Sequence, residues 1–350
     1  MKTVTVNVSK KYDILIGSDL LNKIGTYVRD LFPNARVAII SDENVWSIYQ
    51  NTVCNSLRSV GYDPINFIFP AGEHSKNGKT YLEILNFLAE NKITRSDILI
   101  ALGGGVVGDI TGFSAATYLR GIHYIQVPTS LLAMVDSSVG GKSAIDLPTG
   151  KNLAGAFYQP DLVVCDINAL DTLPVEIFRD GCAEIIKYGV LYDERLFSHL
   201  TANKTQFDRE YVISRCIELK CDVVCQDEFD TGERQKLNLG HTVGHGIEKH
   251  TNYTISHGQA VAAGMAIIAR ASAANAYCDQ DTSNRVCNIL HAFALPAATN
   301  ISSQQLFESI LSDKKRNGDY LNLIIPQKIG FCEIEKMPIS EIKAFIKKGL

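Results

Sequence analysis

Five short runs in the first half of the chain are apolar at almost every position: VAII (37–40), INFIF (65–69), ILIAL (98–102), YIQV (124–127) and LVVC (162–165). A strand with one wet face alternates apolar and polar residues, so such runs belong to strands covered on both faces. Between them lie stretches such as KTYLEILNFLAENK (79–92), whose apolar residues recur at helical spacing. Strand and helix in alternation, with both strand faces buried, predict a doubly wound parallel sheet with its ligand site at the strand C-termini.

Past Thr172-Leu173-Pro174 the texture changes. Helical patterns follow one another from Val175 to about Leu311, most clearly in AEIIKYGVL, YVISRCIELKCDVVC and AVAAGMAIIARASAANAYC. YLNLIIP and KIGFCEI then read as a short hairpin before a last helix in SEIKAFIKK. The expectation is an α/β Rossmann-like nucleotide-binding domain over 1–174 and a mostly α-helical metal-binding domain over 175–350, with the active site in the cleft between them. A chain of 350 residues is long enough for two such cores.

The net charge of −4 argues against general attraction to nucleic acid or to an anionic membrane. The longest apolar run of the helical half, AVAAGMAIIA (260–269), is too short to span a bilayer and reads as a buried helix. No N-terminal stretch has the basic start and apolar core of a signal peptide. Nine cysteines, scattered without a C-x-x-C pair, suit reduced thiols in the cytoplasm. Cys221 and Cys225 read as buried packing thiols.

ILIALGGGVVGDITGFSAATYLRG places Gly103, Gly105 and Gly108 in G-x-G-x-x-G, after a strand and before a helix. Residues without a Cβ let backbone amides approach a pyrophosphate at a helix N-terminus. The acidic residue expected about 20 positions later is missing, since no Asp or Glu occurs between Asp109 and Asp136. Asp42, just past an earlier strand, is the natural substitute for the ribose hydroxyl, though a helix cap explains it almost as well. A second polar loop, VPTSLLAMVDSSVGGKSAIDLPTGKN, offers Thr129, Ser130, Asp136, Lys142, Lys151 and Asn152. That density of hydroxyls, lysines and glycines suits a phosphorylated ligand, with a solvated surface loop as the alternative.

LNLGHTVGHGIEKHTNYTISHGQ (237–259) holds four of the eight histidines. On a helix, His241 and His245 share a face with Glu248, and His257 arrives from the next segment. Imidazoles with a carboxylate make a zinc-type donor set. Spacing alone favours His241 with His245; for the carboxylate it does not choose between Glu248 and Glu184, the latter in the apolar GCAEIIKYG.

GGGVVGDITGFSAATYLRG, IQVPTSLLAMVDSSVGGKSAID, GKNLAGAFYQP, GCAEIIKYG, LNLGHTVGHGIE and HGQAVAAGM together resemble the 3-dehydroquinate synthases of the sugar phosphate cyclase family. They stand in the family's order and cover most of residues 35 to 320. The resemblance implies NAD, a divalent metal (Zn2+ or Co2+), a homodimer, and a sugar phosphate substrate, 3-deoxy-D-arabino-heptulosonate 7-phosphate, in the shikimate pathway. It implies Glu184, His241 and His257 as metal ligands, and a catalytic group of His245 (proton transfer), Asp230, Lys142, Arg234 and Asn238. Lys187, Lys220, Arg234, Asn238, Lys314 and Lys315 match substrate-contacting positions, as do Asp136, Lys142 and Asn152. Arg120 matches an arginine that reaches the neighbouring subunit's site. For NAD the matching positions are Asp42, Glu73, Lys76, Gly104, Gly105, Val106 and Asp109, then Thr129, Ser130, Lys151, Leu170, Asp171 and Thr172.

Two positions depart from the family pattern. DEFDTGER carries Asp230 where the family usually has a glutamate, and Gln259 replaces the glutamate of H-G-E-A-V beside His257. A shorter carboxylate must sit closer or act through water, and a neutral amide alters the surroundings of the metal ligand.

Overall fold

The structure, a computed structural model, describes residues 1–313 and 319–350. Lys314 and Lys315, both expected to contact substrate, lie outside the described residues. The chain divides into two compact units, one of Met1–Pro174 with Lys220–Phe229, the other of Val175–Leu219 with Asp230–Leu350. These units differ from the expected division into 1–174 and 175–350 in that Lys220–Phe229 joins the first. Polar contacts explain it: Lys220 Nζ bonds the Asp136 carboxylate at 2.6 Å, and Glu228 accepts from Ser9 Oγ at 2.6 Å and Gln159 Nε2 at 2.9 Å.

The first unit runs β1 (Lys2–Val6), β2 (Tyr12–Gly17), α1 (Ile24–Leu31), β3 (Val37–Asp42), α2 (Glu43–Ser59), β4 (Ile65–Phe69), α3 (Gly78–Glu90), β5 (Ile98–Gly103), α4 (Gly105–Thr117), β6 (His123–Pro128), β7 (Lys142–Leu147), β8 (Gly150–Phe157) and β9 (Leu162–Asp166). Seven strands form one sheet in the order β1-β2-β9-β6-β5-β3-β4, parallel throughout except for the edge strand β1. Strand β3 shows why both faces are apolar. Val37 and Ile39 enter one core with Ile24 of α1 and Leu57 of α2, while Ala38 and Ile40 enter the other with Ile84 of α3 and Ile110 of α4. Each fully buried aliphatic side chain contributes about 1.5–3 kcal/mol, so neither face tolerates a polar run.

The strand order reverses at β3. The chain leaves β3 outward to β4, then returns past it to β5. Such a reversal opens a crevice beyond the C-terminal ends of the two diverging strands. Asp42 ends β3 and Gly103 ends β5, so the acidic residue and the glycine loop flank that crevice. Part of the expected polar loop is regular: β7 and β8 pair as a separate antiparallel ribbon.

The second unit contains α5 (Val175–Tyr192), α6 (Glu194–Asn203), the first part of α7 (Arg209–Gln226), α8 (His241–His250), α9 (His257–Ala274), α10 (Gln280–Ala292), α11 (Ser303–Asp313), the antiparallel pair β10 (Tyr320–Lys328) and β11 (Phe331–Pro338), and α12 (Ile339–Gly349). The run Ala260–Ala269 is buried within α9, as its composition requires. Gly240, with φ +78, starts α8 in a left-handed conformation where a Cβ would also press within 2.7 Å of the Val261 carbonyl. Among the described residues, no helix is long and apolar enough to cross a membrane. None of the nine cysteines forms a disulfide; Cys221 is buried, but Cys225 is exposed, contrary to expectation.

Candidate active site

The turn from β5 into α4 supplies the glycine loop. Gly104 is the N-cap of α4, so the first amides of that helix point past the sheet with no intrahelical acceptor. Two of its glycines have different reasons. A Cβ on Gly108 would come within 2.7 Å of Gln126 Oε1, so a larger residue there would have to displace that side-chain amide. A Cβ on Gly104 would meet only Ser130 Oγ at 3.6 Å, an ordinary contact, and its φ is −76°. No protein neighbour requires Gly104 to lack a side chain; a phosphate drawn against its amide would.

Asp42 closes the other wall. Its Oδ1 accepts from Asn44 N at 2.9 Å and Val45 N at 3.0 Å, capping α2. Burial holds its carboxyl above the ordinary range in spite of those bonds. Ser41 Oγ donates to the Leu102 carbonyl at 2.7 Å and ties β3 to β5 just below the crevice. Val106 lies half-buried in the first turn of α4. Thr129 N donates to the Gly103 carbonyl at 3.0 Å, which brings Thr129 and Ser130 alongside the loop. Leu170, Asp171 and Thr172 lie in the 3-10 turn Ile167–Thr172, held to α2 by a 2.5 Å bond between Tyr49 Oη and Thr172 Oγ1.

Glu73, Lys76, Asp109, Lys151 and Asn152 are gathered from three segments. Lys76 Nζ reaches Asp109 Oδ2 at 2.5 Å and Asn152 Oδ1 at 2.6 Å, and Lys151 pairs with Glu73 at 3.8 Å. Burial pushes the Asp109 carboxyl up, with Lys76 opposing; burial would lower Lys76, but Asp109 and Glu73 hold its pKa above the usual value. Asp146, which the sequence reading missed, braces the group by accepting from Asn152 N at 2.7 Å and donating its own amide to the Lys76 carbonyl at 2.8 Å. Nothing in its local sequence separates it from an ordinary hairpin residue.

In the second unit, Glu184, His241 and His257 each offer a ligand atom, and these atoms lie within 4.8 Å of one another. Glu184 comes from α5, His241 opens α8, and His257 opens α9. His241 Nε2 and His257 Nε2 each stand 3.7 Å from Glu184 Oε1. His241 Nδ1 lies 3.1 Å from the Leu239 carbonyl oxygen, which can only accept, so the proton sits on Nδ1 and Nε2 is left open toward Glu184. Burial, then the neighbouring Lys187 ammonium, hold His241 well below the usual histidine pKa, which keeps it neutral as a ligand must be. Burial also works against charging His257, yet Glu184 and Glu248 hold it up to about 10. Two imidazoles and one buried carboxylate, with Nε2 atoms converging on one oxygen, fit a zinc-type ion.

A second set, His245, Glu248 and His257, shares His257 with the first. Spacing alone joined His241 to His245; the structure instead brings each of them to His257 with a different carboxylate.

Residues 66–180 match the family described as 3-dehydroquinate synthase N-terminal, and residues 181–316 match 3-dehydroquinate synthase C-terminal. A 3-dehydroquinate synthase from Clostridium acetobutylicum is 42% identical over 354 residues, covering 99% of each chain. The chain belongs to the 3-dehydroquinate synthase family. Among solved structures, a 2-deoxy-scyllo-inosose synthase complexed with carbaglucose-6-phosphate, NAD+ and Co2+ superposes with a TM-score of 0.89 at 24% identity, covering 100% of both chains. A 2-epi-5-epi-valiolone synthase from Streptomyces hygroscopicus subsp. jinggangensis, with NAD+ and Zn2+ bound, gives 0.89 at 23% identity over 98% of this chain and 97% of that one. At these identities the likeness is one of fold.

The remaining synthase-family positions are dispersed over both units. Asp136 holds Lys220, whose Nζ also donates to the Asp136 carbonyl at 2.5 Å. Lys142 is exposed at the start of β7, and Asn152 lies with the Lys76 group. Lys187, 1% exposed, contacts Glu184 directly. Arg234 is buried and Asn238 half-buried at either end of the stretch Glu233–Asn238; Asp230 precedes them with φ +60°. Gln259 turns its side chain to solvent while its amide donates to Asp180 Oδ1 at 3.1 Å. His250 is exposed.

Proposed function

We propose that this chain is a 3-dehydroquinate synthase, a carbon–oxygen lyase of the shikimate pathway. It converts 3-deoxy-D-arabino-heptulosonate 7-phosphate to 3-dehydroquinate and phosphate through transient oxidation at C5, phosphate elimination, re-reduction, ring opening and aldol closure. The observation that carries this reading is the convergence of Glu184, His241 and His257 in a chain 42% identical over its length to a named synthase. Because C5 begins and ends as a carbinol, the overall change consumes no oxidant.

When bound, NAD and a divalent ion (Zn2+ or Co2+) supply reversible hydride exchange and Lewis acidity. Glu184, His241 and His257 would hold the ion. The amides of Gly104 and Gly105, with Thr129 and Ser130, would cradle the pyrophosphate, and Asp42 would take the ribose. Glu73, Lys76, Asp109 and Lys151 would complete the nucleotide site, with Val106, Leu170, Asp171 and Thr172 along its edge. Lys142 and Arg120 offer cations to the leaving phosphate. Lys187, Lys220, Arg234 and Asn238 would orient the carboxylate and hydroxyls, with Asp136 and Asn152 positioning those groups. His245 and Asp230 would move protons.

The protein acts as a homodimer in which Arg120 serves the neighbouring site. What supports this is the backbone: Leu119 and Arg120 are consecutive left-handed residues, φ +50° and +69°, with Arg120 exposed. Such conformations cost about 1–3 kcal/mol each and persist where the surrounding structure over-determines them. Nine cysteines without a disulfide suit the reducing cytoplasm.

The test is phosphate release from the heptulosonate phosphate with catalytic NAD+, with and without chelator. Release that persists without the ion, or a steady growth of NADH, defeats the proposal.

A further inference from the structure

Glu248 enters the sequence reading as an alternative metal ligand. Its position in the fold suggests a different task. Its side chain is 4% exposed, and its Oε2 faces His257 Nδ1 at 3.6 Å, while Nε2 of the same ring faces Glu184 Oε1 at 3.7 Å. The imidazole thus stands between two carboxylates, one opposite each nitrogen.

Two ligands bound at about 2.0–2.2 Å to a tetrahedral ion lie roughly 3.3–3.6 Å apart, so the separation on the Nε2 side is close to that of two ligands sharing an ion. A ligating nitrogen must carry no proton. If Nε2 ligates, the ring's proton resides on Nδ1 and needs an acceptor there. His241 solves the same problem with the Leu239 carbonyl at 3.1 Å from its Nδ1. Both rings then present Nε2 to Glu184, one oriented by a backbone oxygen and the other by a carboxylate.

We propose that Glu248 is a positioning residue of the metal centre: its carboxylate accepts Nδ1–H of His257 and holds Nε2 toward the ion. This rests on the reading of Glu184, His241 and His257 as the ligands. The 3.6 Å separation is longer than a closed hydrogen bond, and a shift of about 0.5 Å closes it. The competing arrangement puts an ion on His245, Glu248 and the Nδ1 side of His257. It would leave His241 Nε2, fixed by Leu239, and the buried Glu184 without the ion they converge on.

The experiment uses the full chain and zinc alone, with affinity measured by competition against a chromophoric chelator and apo folding checked by thermal unfolding. Glu248→Gln is expected to weaken zinc about 10–100-fold at unchanged stoichiometry, with the cobalt d–d spectrum keeping the parent's coordination pattern. Unchanged zinc affinity in Glu248→Gln overturns the inference. So does an altered cobalt coordination together with an equal loss in His245→Ala, which would make Glu248 a ligand. Should Glu248→Gln fold poorly, nitrogen NMR of the zinc-loaded parent decides: protonated Nδ1 and ligated Nε2 on His257 support the inference, and the reverse overturns it. If the parent binds no zinc, or Glu184→Gln binds it as tightly as the parent, the ligand assignment itself fails.

Discussion

Gly258→Ala tests, with one methyl group, how the metal ligands are held in register. Gly258 follows His257 at the start of α9. A Cβ there would come within 2.6 Å of the Asp180 carbonyl carbon and 2.7 Å of its Oδ1. The Asp180 carbonyl oxygen lies closer still, and carbon atoms pack at about 3.5 Å or more, so the two helices must separate locally by more than roughly 0.9 Å. Asp180 lies one turn before Glu184 on α5, and its Oδ1 also accepts from Ser256 Oγ and, at 3.1 Å, from Gln259 N. Relief therefore pushes His257 and Glu184 apart, and a metal site accepts distance errors of only about 0.2 Å. Overpacking of this kind costs about 1–3 kcal/mol. At about 2–4 °C per kcal/mol for a unit of 150–250 residues, the expected fall in Tm is about 2–12 °C. Zinc affinity should fall at least about tenfold, since one of three ligands leaves its bonding distance. The assays are thermal unfolding and zinc competition, with Gly78→Ala as the control, because a Cβ at Gly78 meets nothing within 4 Å. A Gly258→Ala protein with parental Tm and zinc affinity would show that α9 and α5 do not jointly set the ligand distances.

Lys76→Met strips the ammonium from the half-buried Asp109 carboxylate; unfolding by denaturant should show a loss of about 1–3 kcal/mol near neutral pH. The deficit should shrink on acidification, because burial already raises Asp109 above the ordinary carboxylate range and a proton then replaces the lysine. His257, raised from 6.5 to about 10 in the folded chain, contributes stability that is complete below about pH 6.5 and lost as pH climbs through about 10. Denaturant midpoints in chelator should therefore decline across that window, and His257→Ala should flatten the decline. Asp193 caps α6 and bonds Arg215; burial would raise its carboxyl, but the Leu196 amide and Arg215 bring it below the usual value. Asp193→Ala should cost about 0.5–2 kcal/mol at neutral pH, and the two proteins should converge as pH falls through the folded Asp193 pKa.

The sheet was legible because double burial leaves a mark that needs no tertiary knowledge. VAII and ILIAL cannot present a polar face, and the structure gives them none. The Thr–Val alternation of KTVTV carries the period-2 signal of β1, but it went unread beside the stronger runs. The ribbon β7–β8 gave little warning, since its glycines and polar residues read equally as a loop. At the donor set, helical periodicity reports which residues share one helix, and His241 with His245 was the natural pair. Glu184 reaches the set from a helix far upstream, so spacing could not name it and only the resemblance did. Leu239 was invisible for another reason: it acts through its backbone carbonyl, which every residue possesses. Asp146 likewise works by bridging segments whose adjacency no local pattern encodes.

The imidazole between two carboxylates bears on how the centre fills. Without an ion, Glu184 and Glu248 face two positive charges, the Lys187 ammonium and the His257 imidazolium, and the pocket is close to neutral. A buried carboxylate left without its counter-ion would otherwise cost about 3–5 kcal/mol. The protein can thus wait in its folded form with its own side chains as counter-ions. Loading then exchanges one proton for a divalent cation, so acid weakens ion binding by mass action.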